Sequence, residues 1–336
     1  MEFRATLRSL IAREALSQDE AAALIGEIMD GAISPVQGSA LLTALAAKGE
    51  TVDEITGAAR AMRDRAVRLF HDRPVLADIV GTGGDGADTV NVSTMAALVA
   101  AAAGIPVAKH GNRAASSACG SADVLEASGL ALDLDPATSA RMLASSGFAF
   151  MFAPRYHPAM KNAAPIRGEL GIRTIFNILG PLTNPARATH QVVGVARPEL
   201  LEPVAAVLRE LGTVAAAVVH GPGGIDEIGG EGVTEVVSFD ASGTRRWQID
   251  PAAFDVRATR LQIAGGSLDA CVAAFDAVLA GEPSPRADVV CLNAALAIYV
   301  CGTEPTMEAA YDRARAAQRG GEGSRTFEAA KAAARG

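Results

Sequence analysis

Aromatic residues, cysteines and long apolar runs are all scarce in this sequence. Aromatic side chains make up 4% of the 336 residues, whereas apolar residues of all kinds make up 49%. A large core is therefore possible, with helices that pack through small side chains. The alanine-rich run at residues 95–108 ends at Lys109, short of the ~18 to 20 residues that a membrane-spanning helix needs. The four cysteines have no Cys-x-x-Cys spacing and no signal peptide precedes the first helix, which favours a soluble protein of the reducing cytoplasm.

Blocks of like charge and two common phosphate-binding motifs are also missing. The formal net charge is −8 without a basic stretch, which argues against a surface that binds duplex nucleic acid. The glycines of residues 81–86 have neither the spacing of the dinucleotide fingerprint nor that of the P-loop, so both of those sites are excluded there.

The stretch from Val75 to Thr94 nevertheless predicts a phosphate-binding turn. A β-rich apolar run breaks into four glycines within residues 81–86, and a helix start follows at Asn91. Glycine permits positive φ and close approach of a ligand, so consecutive N–H groups can face one anion, and the helix N-terminus adds partial positive charge. The alternative is a glycine-rich turn that merely connects a strand to a helix.

The chain divides into a helical beginning and an α/β remainder. Three start signals within residues 1–70 each place a hydroxyl at the N-cap and Glu or Gln three residues later, which predicts four short helices. Beyond residue 75, β-rich runs alternate with helices, which predicts a mostly parallel central sheet with helices on both faces. The strands are predicted at 75–80, 105–109, 148–152, 191–195, 215–220 and 234–239, with a hairpin near 234–250 and helices beyond residue 267.

Four short helices cannot bury a good core alone, so a later segment is expected to complete them. Residues 154–185 look like one or two short helices inserted into the α/β alternation. The prediction is a small helical domain of residues 1–70 completed by inserted helices at about 157–186, and an α/β domain of residues 75–156 and 187–336.

Two further loops follow predicted strands and so are expected at the same sheet edge as the glycine turn. Residues 109–121 carry two cations, an Asn and several hydroxyls, which favours a second anion cradle, the alternative being a solvated polar loop. Residues 220–227 end in Asp226 and Glu227, a pair that suits Mg²⁺ together with substrate phosphates. A solvated surface pair is the alternative there. Arg167 and His157 are expected to face these loops across a cleft, unless they are ordinary surface and helix-end side chains.

The ordered set of motifs resembles the anthranilate phosphoribosyltransferase family over essentially the whole chain. The motifs are Gly81-Thr-Gly-Gly-Asp85, Asn91-Val-Ser-Thr94, Lys109-His-Gly-Asn-Arg113, His157-Pro-Ala-Met-Lys161, Arg167-x5-Arg173-Thr-Ile-Phe-Asn177-x-Leu-Gly-Pro-Leu-x-Asn-Pro185 and Asp226-Glu227.

This resemblance implies a homodimer of the nucleoside phosphorylase class II fold, with a small helical and a larger α/β domain. It implies transfer of phosphoribosyl from 5-phosphoribosyl 1-pyrophosphate to anthranilate in tryptophan biosynthesis, with release of pyrophosphate. It also implies Mg²⁺ as cofactor, expected at two ions per subunit. The acidic charge and the short apolar runs predict neither nucleic acid nor a membrane as partner.

The resemblance also implies which residues form the site, at the positions of this sequence that match the family's motifs. Lys109, Asn112 and Arg167 are the expected catalytic residues, and Ser93, Asp226 and Glu227 the expected metal ligands. The anthranilate contacts are expected to be Gly81, His110, Asn112, His157 and Arg167. The donor contacts are expected to be Gly81, Gly84, Asp85, Thr89, Asn91, Val92, Ser93, Thr94, Lys109, His110, Gly111, Asn112, Arg113, Ala114, Ala115, Ser116, Ser117 and Ser121.

Two departures from the family pattern remove positive charge near the expected site. Ala118-Cys119 stands where relatives often carry Lys-Ser, and Glu235 stands where a Lys is common. Two other functions compete with the main one. A pyrimidine nucleoside phosphorylase shares the architecture but fits residues 167–177 and the acidic pair poorly, and a non-enzymatic nucleic-acid-binding relative would need a basic face.

Overall fold

Helices open the chain, as its three start signals predict. The structure is a computed structural model that describes residues 2–114 and 119–336. In each predicted capping box the hydroxyl accepts a hydrogen bond from the N3 backbone and the N3 side chain accepts one from the N-cap backbone. The first helices are α1 (Phe3–Ile11), α2 (Gln18–Asp30), α3 (Pro35–Lys48) and α4 (Val52–Asp64).

The described residues then form one seven-stranded sheet, with order β3-β2-β1-β4-β5-β6-β7. The strands are β1 (Ala77–Gly81), β2 (Val107–Gly111), β3 (Phe148–Phe152), β4 (His190–Gly194), β5 (Ala215–His220), β6 (Thr234–Asp240) and β7 (Gly243–Ile249). The first five strands are parallel to one another, whereas β6 runs antiparallel to both β5 and β7. The predicted hairpin near 234–250 is therefore confirmed.

Two strands begin later than the sequence predicts. Both β1 and β2 start two residues downstream of the expected positions, at Ala77 and Val107. Leu76 and Ile105 are buried apolar residues, and they lie just before the first ladder pairing, Ala77 with Val107. The apolar run therefore marks where core burial begins, which is earlier than the start of strand pairing.

Helices cover both faces of the sheet, which confirms the predicted fold class. The helices of this part of the chain are α5 (Val92–Ala102), α6 (Ser121–Ala127), α7 (Pro136–Ser146), α11 (Leu201–Glu210), α12 (Leu268–Leu279), α13 (Pro285–Val300), α14 (Met307–Arg319) and α15 (Glu322–Arg335). On neighbouring strands, Val192 and Val219 lie in the apolar cluster that includes α5, whereas Val193 and Val218 lie in the cluster that includes α2 and α3. Among the described residues, no helix combines the length and apolar character that crossing a bilayer requires.

The segment between β3 and β4 forms three helices, where one or two were predicted. They are α8 (Ala153–Tyr156), α9 (Met160–Leu170) and α10 (Phe176–Leu182). Ala163, Ile166 and Leu179 lie in the same buried cluster as Leu24 and Leu41 of the first helices. This packing fits the proposed two-domain division, which stays a prediction.

The order of the strands creates a crevice at one edge of the sheet. The chain runs from β1 to β2 and β3 on one side, then crosses to β4 on the other side of β1. Ligands bind outside the carboxyl ends of strands at such a switch point. Gly81 and Gly194, the last residues of β1 and β4, lie side by side there.

Candidate active site

A cavity of about 730 Å³ lies at this crevice. Residues from the glycine turn, from the loop after β2 and from the acidic pair line one wall, and residues of α9 and α10 line the other. The three loops that the sequence predicts at one edge therefore do converge there. The lining includes the expected site residues Gly81, Gly84, Asp85, Thr89, Asn91, Ser93, Thr94, Lys109, His110, Gly111, Asn112, Arg113, Ala114, Ser121, His157, Arg167, Asp226 and Glu227.

Glycine is required where the acidic pair crosses the strand ends. A Cβ atom at Gly81 would overlap the Asp226 carboxylate, and one at Gly194 would overlap the Asp226 backbone. The amide of Gly83 donates to Asp226 Oδ2 at 2.6 Å. The absence of these side chains lets the carboxylate lie directly on the turn.

Three carboxylates meet at this wall. Glu227 accepts hydrogen bonds from the Ser93 amide at 3.1 Å and the Thr89 hydroxyl at 3.2 Å. Asp85 Oδ2 accepts from the Asp226 amide at 3.4 Å. Burial raises the pKa of Asp226 and of Glu227; Asp85 adds to the rise at Asp226, and Asp226 to that at Glu227. A cation at this wall would relieve the repulsion between these groups.

The side-chain oxygens at this wall can hold Mg²⁺ if oxygens of the substrate complete the coordination shell. In the described part of the chain, no group of three or more His, Cys, Asp or Glu side chains is arranged to hold a metal ion alone. Mg²⁺ is commonly held by one or two carboxylates together with substrate phosphates and water. The buried Oδ1 of Asn91 and Oγ1 of Thr94, at the same wall, also have no described hydrogen-bond partner, which fits a polar ligand.

Lys109 lies behind this wall instead of in solvent. Its side chain is 2% exposed, and Nζ donates to Ile79 O at 2.5 Å and to Ser93 Oγ at 3.2 Å. Burial lowers the pKa of Lys109, whereas the charges of Asp78, Glu227 and Asp226 oppose that fall. Lys109, a predicted donor contact, therefore lines the cavity with its Nζ held beneath the acidic pair.

A carboxylate ties together the two ends of the loop after β2. The backbone N–H groups of Ala114 and Gly120 both donate to Asp123 Oδ2 at 2.9 Å. Arg113 pairs with Asp123 at 3.0 Å and with Glu126 at 2.8 Å. The predicted donor contacts Ala115, Ser116 and Ser117 lie outside the described residues. Arg113, another predicted donor contact, has its guanidinium engaged by these two acids.

The opposite wall is built from side chains. The Arg167 guanidinium lies over the Phe176 ring, 5.6 Å from its centroid, and burial lowers its pKa without any acidic group contributing. The rings of His110 and His157 lie 4.9 Å apart. Burial lowers the pKa of His110 to about 3 and that of His157 to about 4. Both imidazoles, that of His110 at the end of β2 and that of His157 just before α9, are therefore neutral at pH 7. Arg167 and Lys161 are the basic side chains of α9 that line the cavity.

Several outcomes differ from the sequence-based expectations. Val92 is fully buried in the core cluster and does not line the cavity, so its side chain cannot contact a ligand there. Arg173 received no role from the sequence, yet it hydrogen-bonds the glycine turn. The sequence signal that could have identified Arg173 is its position in the motif that begins at Arg167. Met160, Lys161, Asn177 and Pro181 also line the cavity without having been predicted.

Comparison with known proteins identifies the family. A model of the glycosyl transferase family helical bundle domain matches residues 4–66, and one of the same family's a/b domain matches residues 73–324. The chain belongs to this glycosyl transferase family.

Individual relatives narrow the assignment. The chain is 50% identical over 320 residues to the anthranilate phosphoribosyltransferase of Chloroflexus aggregans, covering 94% of each chain. The crystal structure of the Thermus thermophilus anthranilate phosphoribosyltransferase has a TM-score of 0.93 and 43% identity, covering 98% of this chain and 99% of that one. That of Saccharomyces cerevisiae, in complex with PRPP and Mg, has a TM-score of 0.90 and 26% identity, covering 99% and 98%. Within its family the chain belongs to the anthranilate phosphoribosyltransferases, and neither competing function is favoured.

Proposed function

We propose that this chain transfers the phosphoribosyl group of 5-phosphoribosyl 1-pyrophosphate to the amine of anthranilate, releasing pyrophosphate, as a step of tryptophan biosynthesis. The observation that carries the proposal is the pairing of two unlike walls in one cavity. A glycine turn with half-buried carboxylates suits a metal-bound diphosphate, and Arg167, which pairs with no carboxylate among the described residues, lines the same cavity. That arginine suits the carboxylate of an aromatic acid.

The residues divide the chemistry between binding and orientation. The amine of anthranilate is neutral at pH 7, so attack needs no base to deprotonate it. Arg167 would grip the anthranilate carboxylate and hold the amine towards the ribose carbon, with Asn112 and the neutral His110 and His157 close by. Catalysis then depends mainly on positioning and electrostatics.

Asp226, Glu227 and Ser93 would hold the metal, together with oxygens of the donor. Bound Mg²⁺ would neutralise the charge that develops on the departing pyrophosphate. Lys109 adds fixed positive charge behind the acidic pair, and the glycine-turn amides bind phosphate oxygens. The two acidic side chains have different neighbours, Gly83 for Asp226 and Ser93 for Glu227, which supports two ions per subunit.

The direct test mixes purified protein with the donor and anthranilate and follows the loss of anthranilate fluorescence. We expect turnover with Mg²⁺ and none after chelation, and an absence of turnover with Mg²⁺ would refute the proposal. Calorimetric titration of Mg²⁺ in the presence of the donor should give two ions per subunit.

We also propose a homodimer in the cytoplasm. Ile11 and Val36, both on the first helices, are 69% and 79% exposed, which fits an apolar contact between subunits. The four cysteines are all free thiols, which fits a reducing compartment. Light scattering after size-exclusion chromatography should give twice the chain mass, and a monomer mass would count against the dimer.

A further inference from the structure

Arg173 connects the inserted segment to the glycine turn. It lies in the connection between α9 and α10, with an exposed side chain. Its Nη1 donates to Gly84 O at 3.0 Å and its Nη2 approaches Gly83 O at 3.4 Å. Gly84 has a φ of +69°, and a Cβ atom there would overlap the guanidinium. The glycine therefore serves both the backbone conformation and the close approach of Arg173.

This contact fixes the direction of two backbone amides. In a trans peptide the N–H points opposite to the C=O of the same unit, and the chain has no cis peptide among its described residues. Carbonyls of Gly83 and Gly84 held by Arg173 therefore turn the N–H groups of Gly84 and Asp85 the other way. Within residues 2–114 and 119–336, neither of these two N–H groups has a protein acceptor.

The turn is held from two sides. Asp226 of the α/β wall accepts from the Gly83 amide at 2.6 Å, and Arg173 of the inserted segment donates to the following carbonyls. Adjacent amides that face one direction form an anion-binding concavity. Gly84 and Asp85 both line the cavity.

We propose that Arg173 is a positioning residue for the donor: it binds the outer carbonyls of the glycine turn so that the Gly84 and Asp85 amides face an anionic phosphate group. This inference rests on the proposed function and adds a residue to it. Arg173 itself does not line the cavity, so it acts through the turn and not by touching the ligand.

Arginine is suited to this task because its planar fork can serve two acceptors at once. A lysine at the same position can donate to one of the carbonyls but cannot span both with fixed geometry. Arg173→Lys should therefore be intermediate between the wild type and Arg173→Ala.

The first test is steady-state kinetics with each substrate varied. For Arg173→Ala we expect the KM for 5-phosphoribosyl 1-pyrophosphate to rise about tenfold, the size of effect expected for loss of hydrogen bonds from a charged group. The KM for anthranilate and kcat should stay within about twofold of wild type. Arg155→Ala is the matched control, because Arg155 is an exposed arginine of α8 outside the cavity, paired with Asp133 at 3.6 Å, and it should leave all three constants unchanged.

The second test measures binding without turnover. Calorimetric titration with Mg²⁺ and pyrophosphate should show about tenfold weaker binding to Arg173→Ala than to wild type, at an unchanged melting temperature because the side chain is exposed. Equal binding in the two proteins, or an equal rise in both KM values, would overturn the inference. A wild type that binds pyrophosphate without turning over the two substrates would instead refute the proposed function, and the binding ratio would still decide the role of Arg173.

Discussion

The two walls of the cavity differ in the chemical groups that line them. On the α/β wall, backbone amides and half-buried acids dominate, and glycines allow Asp226 to lie against the ends of β1 and β4. On the helical wall, side chains dominate, with Arg167 over Phe176 and the buried His157 against His110 of β2.

This contrast matches the charge that each wall can accept. The α/β wall gathers acids whose pKa values are raised, that of Asp226 to about 6 and that of Glu227 to about 8. We therefore expect a cation to bind there together with an anionic diphosphate. On the helical wall, Arg167 has no acidic partner within residues 2–114 and 119–336, so we expect it to bind a carboxylate directly. Under the proposed function we therefore expect the phosphoribosyl donor to need a metal and anthranilate to bind without one, and each of the following predictions tests one side of this contrast.

The largest effect is expected from neutralising the acidic pair. Replacing Asp226 by Asn together with Glu227 by Gln should lower kcat/KM by about 10³-fold or more, because the metal loses its charged ligands. Kinetics at varied Mg²⁺ measure this loss, and thermal unfolding shows whether the variant remains folded.

Glu199→Gln is the control for this pair, since Glu199 is an exposed acid paired with Arg197 at 3.6 Å. It should change neither the activity nor the melting temperature. If the double variant kept the wild-type rate and Mg²⁺ response, the α/β wall would not be a metal site.

A smaller effect is expected from Arg167, on the helical wall. Arg167→Ala should raise the KM for anthranilate about 10²-fold, because a charge-assisted contact with the carboxylate is lost. The KM for the donor should change only a few-fold. Steady-state kinetics with each substrate varied measures both KM values. Arg167→Lys is the matched variant, because it keeps the positive charge but lacks the planar guanidinium group. An equal rise in KM for both substrates would contradict the assignment of the two substrates to different walls of the cavity.

Removing the Asp123 carboxylate, which bridges the two ends of the loop after β2, should have a moderate effect. We expect it to change the KM for the donor and not that for anthranilate. Asp123→Ala removes the acceptor shared by the Ala114 and Gly120 amides, so the KM for the donor should rise about tenfold. Glu126→Gln breaks only the outer Arg113 pair at 2.8 Å and should have little effect. If Asp123→Ala had unchanged kinetics when measured beside that control, Asp123 would not contribute to donor binding at the α/β wall.

The smallest effect on activity is expected from His157, although its effect on stability depends on pH. Burial holds the pKa of His157 at about 4, whereas an unfolded histidine titrates near 6.5. As pH falls below about 6.5, the unfolded chain takes up the proton first, so the folded protein loses stability down to about pH 4. The loss is about 3 kcal/mol when complete.

Urea unfolding of wild type and His157→Gln at pH 7 and pH 4.5 measures this loss. The variant should lose less stability between the two values, since it lacks the titrating group. The same acid-dependent loss in both proteins would show that His157 does not titrate as its buried position requires. Activity between pH 6.5 and 8.5 should show no ionisation of this residue.

Local features of the fold were predictable from the sequence. The capping boxes of α2, α3 and α4 join residues three positions apart, so neighbouring residues carry the whole signal. The strand and helix alternation followed from the period of apolar residues. The three loops at one edge followed from the rule that parallel strands share a carboxyl end.

Features that join distant parts of the chain were not predictable. The start of β1 and β2 depends on which neighbouring residues pair, and the engagement of Arg113 depends on the helix that follows its loop. Arg173 and Gly84 are 89 residues apart, and no spacing rule links them. Val92 belongs to a motif that was assigned to the donor as a unit, although its own side chain packs into the core.

The sequence by itself determined the identity of the family, the chemical types at the site and the alternation of elements, because those depend on residue types and on neighbours along the chain. Only the tertiary structure decided which charges are buried together, which carbonyls meet Arg173 and where the Lys109 ammonium lies. The reason is physical: desolvation and hydrogen bonding act on groups that are close in space, and the folded chain sets those distances.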